Sequence, residues 1–314
     1  MKIFAYEVRP DEAAAFDRIE KALGVTITRT HKTLTQDTLP LAAGYDAVTV
    51  LGHSQLNRAM LTLLKESGIT VLSTRTVGCN HIDLACAKEL GISVCNTNYG
   101  GECVADYTVM MLLICLRNYK PALWRMQVND YSLNGLQGRQ VGSLTVGVVG
   151  TGRIGRQVMQ NLSGFGCKFL CYDPFPNPEA AKFGPYVSLD EIWANCDVIT
   201  FHTPLTNESF HMVNRETIAK MKPGVILLNT SRGAVLDEQA VVEALDSGKL
   251  YAVGADVFAA EPCGKDHPLA AHPRCVATPH VAWSPEETRA RVIQIAADDI
   301  AAYLAGESHN VVNP

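Results

Sequence analysis

The chain has 314 residues, of which 47% are hydrophobic and 19% charged, with a formal net charge of −5. That length exceeds what one hydrophobic core usually serves and points to two domains or one large α/β domain. No basic surplus or polybasic run calls for a nucleic-acid or membrane partner, and the longest apolar run, "YTVMMLLICL", is too short to span a bilayer.

The N-terminus, "MKIFAYEVRPDEAAAF", turns charged too soon for a signal peptide. The 10 cysteines are scattered, without a CxxC pair, so reduced thiols and a cytoplasmic location are expected rather than a disulfide framework. Neither the cysteines nor the 9 histidines show metal-ligand spacing, and no metal is expected.

In chain order, "MKIFAYEV", "DAVTVLG", "ITVLSTRTVG" and "GISVCNT" read as strands, and "EAAAFDRIEKAL" and "LNRAMLTLLKESG" as connecting helices. That rhythm predicts βαβ units and a parallel sheet. After the turn-rich "TNYGGE", the stretch from Cys103 to Tyr119 is apolar on nearly every face. As a helix it must be buried all round, between domains or subunits. A second series begins at Thr145, with strands "TVGVVG", "KFLCYD", "DVITFH", "VILLNT", "AVGADV" and "CVATP", enough for a complete doubly wound sheet. Between them, Ser188 with Glu191 forms a capping box, and Asp237 caps a helix that stops near Gly248. The last helix is expected to start at "SPEE", with Ser284 as N-cap, Pro285 in the first turn and Glu287 reaching back. It would run to about Ala305, long enough to cross back to the first domain.

"TVGVVGTGRIGRQV" places Gly150, Gly152 and Gly155 in GxGxxG spacing between an apolar strand and a helix. Gly150 permits the tight turn, Gly152 lets the backbone approach a pyrophosphate, and Gly155 lets the helix pack on the strand. The pyrophosphate then meets free N–H groups at the positive end of the helix. Asp173, ending the next strand, can hydrogen-bond the ribose hydroxyls and repel a 2′-phosphate, which favours NAD over NADP.

Three further residues each follow an apolar strand: Arg232 in "NTSRGAVLD", Glu261 in "GADVFAAEP" and His280 in "CVATPH". Ligand crevices form at the carboxyl ends of parallel strands. A guanidinium grips a carboxylate or carbonyl oxygen. A histidine exchanges a proton near neutral pH, and a neighbouring carboxylate holds its tautomer and favours its charged form. Nicotinamide chemistry needs that combination, because each hydride moved at carbon is matched by a proton on oxygen.

Over almost its whole length the chain resembles the D-isomer-specific 2-hydroxyacid dehydrogenases, through "STRTVGCNHIDL", "VADYTVMMLL", "TVGVVGTGRIG", "NTSRGAVLD", "GADVFAAEP" and "TPHVAW". The resemblance implies two doubly wound parallel-sheet domains, a Rossmann cofactor domain inserted in a flavodoxin-like substrate domain. The substrate domain would be residues 1–98 completed by 284–314, clasping an NAD-binding domain of residues 99–283 with hinges near Tyr99 and Ser284. Arg232, Glu261 and His280 would be catalytic, the backbone of Val77 and Gly78 would bind the substrate carboxylate, and Tyr99 and Trp283 would lie near the substrate. NAD would contact Gly150, Gly152, Arg153, Ile154, Gly155, Asp173, His202, Thr203, Pro204, Thr230, Ser231 and Asp256, the last holding the carboxamide. The apolar helix after Cys103 would be a homodimer element.

"STRTVGCNHID" and "TNYGGECVADY" look most like D-lactate dehydrogenases, whereas "HPLAAHPRCVATPHVAWSPEETR" looks more like glycerate and hydroxypyruvate reductases. The substrate is therefore a small 2-keto acid, pyruvate-like or larger, with hydroxypyruvate or glyoxylate as the alternative. The family fold also serves as an NAD-sensing corepressor, a role disfavoured by the lack of extended tails.

Overall fold

The computed structural model describes residues 1–307 and 309–314. The chain divides into two compact units, Met1–Tyr99 with Pro285–Pro314, and Gly100–Ser284. Each division falls one residue beyond the boundary expected from sequence.

The first unit contains β1 (Lys2–Ala5), α1 (Ala13–Leu23), β2 (Thr26–Arg29), β3 (Ala47–Val50), α2 (Arg58–Glu66), β4 (Val71–Thr74), α3 (Leu84–Glu89) and β5 (Ser93–Asn96), with a C-terminal helix Glu286–Leu304. The strands form one parallel sheet in the order β2-β1-β3-β4-β5, the flavodoxin-like arrangement. Successive residues of β1 serve opposite faces, as the period of a strand demands. Ile3 and Ala5 pack with Phe16 and Ile19 of α1 and with Ile293, Ala297 and Ile300 of the C-terminal helix. Phe4 faces Leu61 and Leu64 of α2 and Cys86 of α3. With both faces covered, β3 and β4 are buried throughout, polar Thr49, Ser73 and Thr74 included.

Residues 310–313 return along β5. The Val312 N–H donates to the Val94 carbonyl (2.9 Å), and the Asn313 side chain bonds both the Val94 N–H and the Ile92 carbonyl (each 2.8 Å). This covers backbone groups that an edge strand otherwise exposes.

The second unit contains α4 (Glu102–Leu116), α5 (Tyr119–Gln127), β6 (Thr145–Val149), α6 (Arg153–Ser163), β7 (Lys168–Tyr172), α7 (Pro178–Ala181), α8 (Leu189–Asn195), β8 (Val198–Phe201), α9 (Arg215–Lys220), β9 (Val225–Asn229), α10 (Glu238–Asp246), β10 (Leu250–Ala255), α11 (Pro268–Ala271) and β11 (Cys275–Ala277). Its six strands, all six anticipated, are parallel in the order β11-β10-β9-β8-β6-β7. Outside β7, the place of a third Rossmann strand is taken by a single parallel bridge between Cys171 and Tyr186. The caps expected on α8 and α10 are present: Ser188 and Glu191 form a reciprocal box, and Asp237 accepts from the Ala240 N–H.

Two expectations need correction. The apolar helix does not run on to Tyr119: α4 ends at Leu116, Asn118 takes a left-handed conformation (φ 49°), and a new helix begins. The Asn118 side chain holds the break by donating to the Gln137 carbonyl (2.9 Å) and the Tyr251 hydroxyl (2.6 Å). Within one chain, α4 is covered on one side. Ala105, Met111, Leu112, Cys115 and Leu116 pack on β6 and β9, whereas Tyr107, Leu113 and Ile114 are half-buried and Met110 is 38% exposed.

The C-terminal helix also begins differently. Pro285, with ψ 152°, occupies the cap position and no side chain caps the helix. Ser284 instead closes the preceding turn, its N–H on the Val281 carbonyl.

Candidate active site

In the second unit the residues expected to contact a cofactor lie at the carboxyl ends of β6, β7 and β8, with Thr230, Ser231 and Asp256 after β9 and β10. Gly150 turns with φ +92°, and a Cβ there would lie 2.6 Å from the His202 carbonyl oxygen. A Cβ on Gly155 would lie 2.1 Å from the Gly150 carbonyl oxygen, so that glycine lets α6 close on its strand. A Cβ on Gly152 would meet nothing within 4 Å, so its lack of a side chain leaves open space against the backbone. Arg153, Ile154 and Gly155 form the first turn of α6, whose start carries no side-chain cap, leaving the N-terminal amides to a ligand. Asp173 lies against this loop, accepting from the Thr151 N–H (2.7 Å) and from the Phe175 N–H (2.9 Å).

His202, Thr203 and Pro204 follow β8. His202 meets the Thr200 hydroxyl through Nε2 (2.9 Å), and its enclosed Nδ1 has no partner among the described residues; nor has the buried Thr203 Oγ1. Burial pushes the His202 imidazole down to about 3, so it stays neutral. Orphaned buried polar atoms beside an open glycine and an uncapped helix fit a polar ligand of dinucleotide type.

Arg232 and Glu261 come together because two strand-end loops touch. A Cβ on Gly233 would lie 1.9 Å from the Phe258 carbonyl carbon, so only glycine allows this approach of the loops after β9 and β10. Asn229, fully buried at the end of β9, shapes the first loop: its Oδ1 accepts from the Ser231 N–H and hydroxyl, and its Nδ2 donates to the Arg232 carbonyl. The Thr230 hydroxyl meets that of Thr108 on α4 (2.9 Å). Arg232 Nη1 donates to the Ser231 carbonyl (2.7 Å).

His280 Nδ1 and Glu261 Oε2 are 2.7 Å apart, and the Phe258 N–H donates to Glu261 Oε1 at 2.9 Å. Burial pushes the Glu261 carboxyl up, but the bonds from His280 and Phe258, with the charges of His280 and Arg232, outweigh it and hold the group below its ordinary value. Glu261 is thus ionised at neutral pH and Nδ1 is the donor. His280 itself adopts φ +54°, its N–H on the Asp256 carbonyl and its carbonyl on the Trp283 indole N–H (3.0 Å). Asp256, only 1% exposed, accepts from the Thr278 hydroxyl and from the N–H groups of Val281 and Ala282. Asn229 and Thr278 were not singled out from sequence. Their signal is a small polar residue at a strand end beside a motif.

In the first unit, Val77 and Gly78 follow β4. The carbonyls of Thr76, Val77 and Gly78 accept from the Thr97 N–H (3.1 Å), the Asn96 side chain (2.7 Å) and the Thr76 hydroxyl (2.7 Å). Among the described residues, no hydrogen bond uses the N–H of Val77 or Gly78. Two adjacent N–H groups of this kind suit a carboxylate. Tyr99 is 9% exposed, its carbonyl held by Arg291. No group of histidines, cysteines and carboxylates among the described residues suits a metal.

The glycines separate by role. Gly155→Ala should lower stability by about 1–3 kcal/mol through overpacking, whereas Gly152→Ala should stay within about 0.5 kcal/mol of the parent yet weaken NADH binding at least about tenfold. Thermal denaturation and fluorescence titration check both. Equal stability losses would contradict the assignment.

Comparison with known proteins agrees with this geometry. Residues 109–282 match the family model described as D-isomer specific 2-hydroxyacid dehydrogenase, NAD binding domain. An aromatic 2-oxoacid reductase of Clostridium sporogenes is 39% identical over 310 residues, covering 94% of each chain. A D-lactate dehydrogenase of Lactobacillus delbrueckii subsp. bulgaricus is 39% identical over 298 residues, covering 90% of each. The structure of a D-2-hydroxyisocaproate dehydrogenase superposes with a TM-score of 0.91 at 30% identity, covering 100% of both chains. With its two parallel-sheet units, its glycine loop and the carboxylate–imidazole pair behind adjacent strands, the chain belongs to the D-isomer-specific 2-hydroxyacid dehydrogenases and is an NAD-dependent oxidoreductase.

Proposed function

We propose that this enzyme reduces 2-keto acids of pyruvate size and larger to the D-2-hydroxy acids, with His280 as the proton donor. The observation that carries this is the 2.7 Å bond from His280 Nδ1 to an ionised Glu261, which leaves Nε2 to carry the transferable proton. Bound NADH supplies a hydride to the keto carbon, and the proton from His280 goes to the keto oxygen, so the product is the neutral hydroxyl. Arg232 polarises that oxygen, and the N–H groups of Val77 and Gly78 serve the substrate carboxylate. Tyr99 and Trp283 shape the space for the substrate side chain. The unit Gly100–Ser284 serves NAD and the other unit the substrate. The loop after β6 takes the pyrophosphate, with His202, Thr203, Pro204, Thr230 and Ser231 alongside, and Asp256 keeps one acceptor site on Oδ2 for the carboxamide.

The names of the relatives, an aromatic 2-oxoacid reductase and a D-lactate dehydrogenase, support the pyruvate-like and larger class. An NADH-consumption panel tests it: kcat/KM should be higher for pyruvate, 2-ketoisocaproate or phenylpyruvate than for hydroxypyruvate or glyoxylate. Highest efficiency with hydroxypyruvate would assign it to the reductases of that acid. Ten cysteines with no disulfide among them suit a reducing compartment, and we place the enzyme in the cytoplasm.

Asp173 should set cofactor choice. The parent should prefer NADH strongly, and Asp173→Ala should narrow the gap by removing repulsion of a 2′-phosphate. Equal efficiency with NADH and NADPH in the parent would count against it.

We assign the chain to a homodimer. The half-buried flank of α4 continues into exposed Tyr119, Leu123, Trp124, Val128 and Leu133, a patch that a second copy would cover. Light scattering at micromolar concentration should give twice the mass of one chain; a monomer would refute the assignment.

The charge on Glu261 should appear in the pH profile. Because its carboxyl is held below its ordinary value, the charge is present at neutral and alkaline pH and is lost only in acid. Glu261→Gln removes the carboxylate that bonds Nδ1 of His280. Reductive kcat/KM should therefore fall most at neutral and alkaline pH, where the parent carboxyl is ionised, with a smaller loss at acid pH. A uniform loss at every pH would reduce Glu261 to a positioning group.

A further inference from the structure

We infer that Asn96 is a positioning residue for the substrate carboxylate, and that the docked C-terminal tail holds Asn96 in place. The inference rests on the reading that Val77 and Gly78 bind that carboxylate. A peptide group is planar and trans, so fixing a carbonyl fixes the N–H of the next residue on the opposite side. The Thr76 carbonyl, held by the Thr97 N–H, thereby aims the N–H of Val77. The Val77 carbonyl, held by the Asn96 side chain at 2.7 Å, aims the N–H of Gly78. Only the Nδ2 end of the amide can face a carbonyl oxygen, so the orientation of Asn96 is determined by its partner.

Asn96 ends β5, and its own N–H donates to the carbonyl of Asn310 (3.3 Å). Asn310 sits in a left-handed conformation (φ 49°), and its Nδ2 donates to both oxygens of Asp299 (2.9 and 3.1 Å). Asp299 is 2% exposed on the C-terminal helix. Val312 and Asn313 tie the next turn of the tail to Val94 and Ile92. A bonded line therefore runs from the C-terminal helix through Asn310 and Asn96 to the peptide between Val77 and Gly78. All of it lies within the first unit, apart from the proton donor and the glycine loop.

The test compares Asn96→Ala, Asn96→Asp and Asn310→Gly with the parent, using pyruvate and NADH. Losing one neutral hydrogen bond should raise KM for pyruvate about three- to tenfold, with kcat and the Kd for NADH unchanged. Asn96→Asp replaces the donor by an acceptor facing the Val77 carbonyl and should raise KM further. Asn310→Gly keeps the left-handed backbone but drops the side-chain bonds, and should raise KM in the same direction by less. If Asn96→Ala does not fold, Asn96→Asp and Asn310→Gly carry the measurement. A merely structural role would lower kcat or NADH binding together with stability, and that pattern overturns the inference. Titrating oxamate into 15N-labelled parent enzyme with NADH separates the two layers. Unmoved Val77 and Gly78 amide signals would remove the underlying reading. Moved signals with an unchanged KM in the Asn96 variants would remove the inference alone.

Discussion

Burial of the Asp256 carboxylate governs the geometry around His280. A carboxylate enclosed to 1% exposure is tolerable only when its oxygens are bonded, and the donors here come from the loop after β11. The Thr278 hydroxyl and the N–H groups of Val281 and Ala282 must all point inward, so the chain wraps round the carboxylate. Wrapping forces His280 into φ +54°, a left-handed conformation costing a non-glycine residue about 1–2 kcal/mol. The strain persists because the position is over-determined: the N–H, carbonyl and side chain of His280 each have a partner. The reward is an imidazole presented at a fixed angle to Glu261.

The same logic places the other groups. In a parallel sheet all strands end on one edge, so Asn229 at the end of β9, Asp256 after β10 and the Thr278 loop after β11 fall in one row. Their side chains hold loops rather than substrate. Asn229 closes the turn that carries Arg232, and Gly233 lets that turn approach the Phe258 backbone. Removing either would move Arg232 relative to Glu261 without touching a reacting atom.

This explains what was legible in the sequence. The strands of the second unit are dense apolar runs, four of them almost wholly buried, so all six stand out, and the residue types just beyond them draw attention to Arg232, Glu261 and His280. Edge elements are harder to see. β2, "TITR", has only Ile27 buried, and α3 spans six residues, too few for a clear helical period. The bridge at Tyr186 is one residue long and has no pattern at all. The break at Asn118 falls in the polar stretch Arg117–Lys120, and the groups that fix it lie far away at Gln137 and Tyr251. Asn96 is equally silent, since a strand-ending asparagine looks like any turn residue until its partner at Val77 is known.

Choosing the proton donor requires more than finding a histidine beside an acid. His267 meets Glu238 at 3.2 Å and His272 meets Asp246 at 3.3 Å, so carboxylate pairing recurs outside the site. In both, the other ring nitrogen is also engaged: Nδ1 of His267 accepts from the Ala270 N–H and Nδ1 of His272 from the Arg274 N–H. Those imidazoles cap backbone, and protonation there would break a bond. His202 has a nitrogen without a partner, but burial and the lack of a carboxylate keep it neutral, so it has no proton to give. His280 alone among these four couples one nitrogen to an ionised carboxylate while no bond among the described residues uses the other. With its side chain 45% exposed, that second nitrogen can reach a ligand. A group that must deliver a proton and then regain it needs both properties, and they meet at this position.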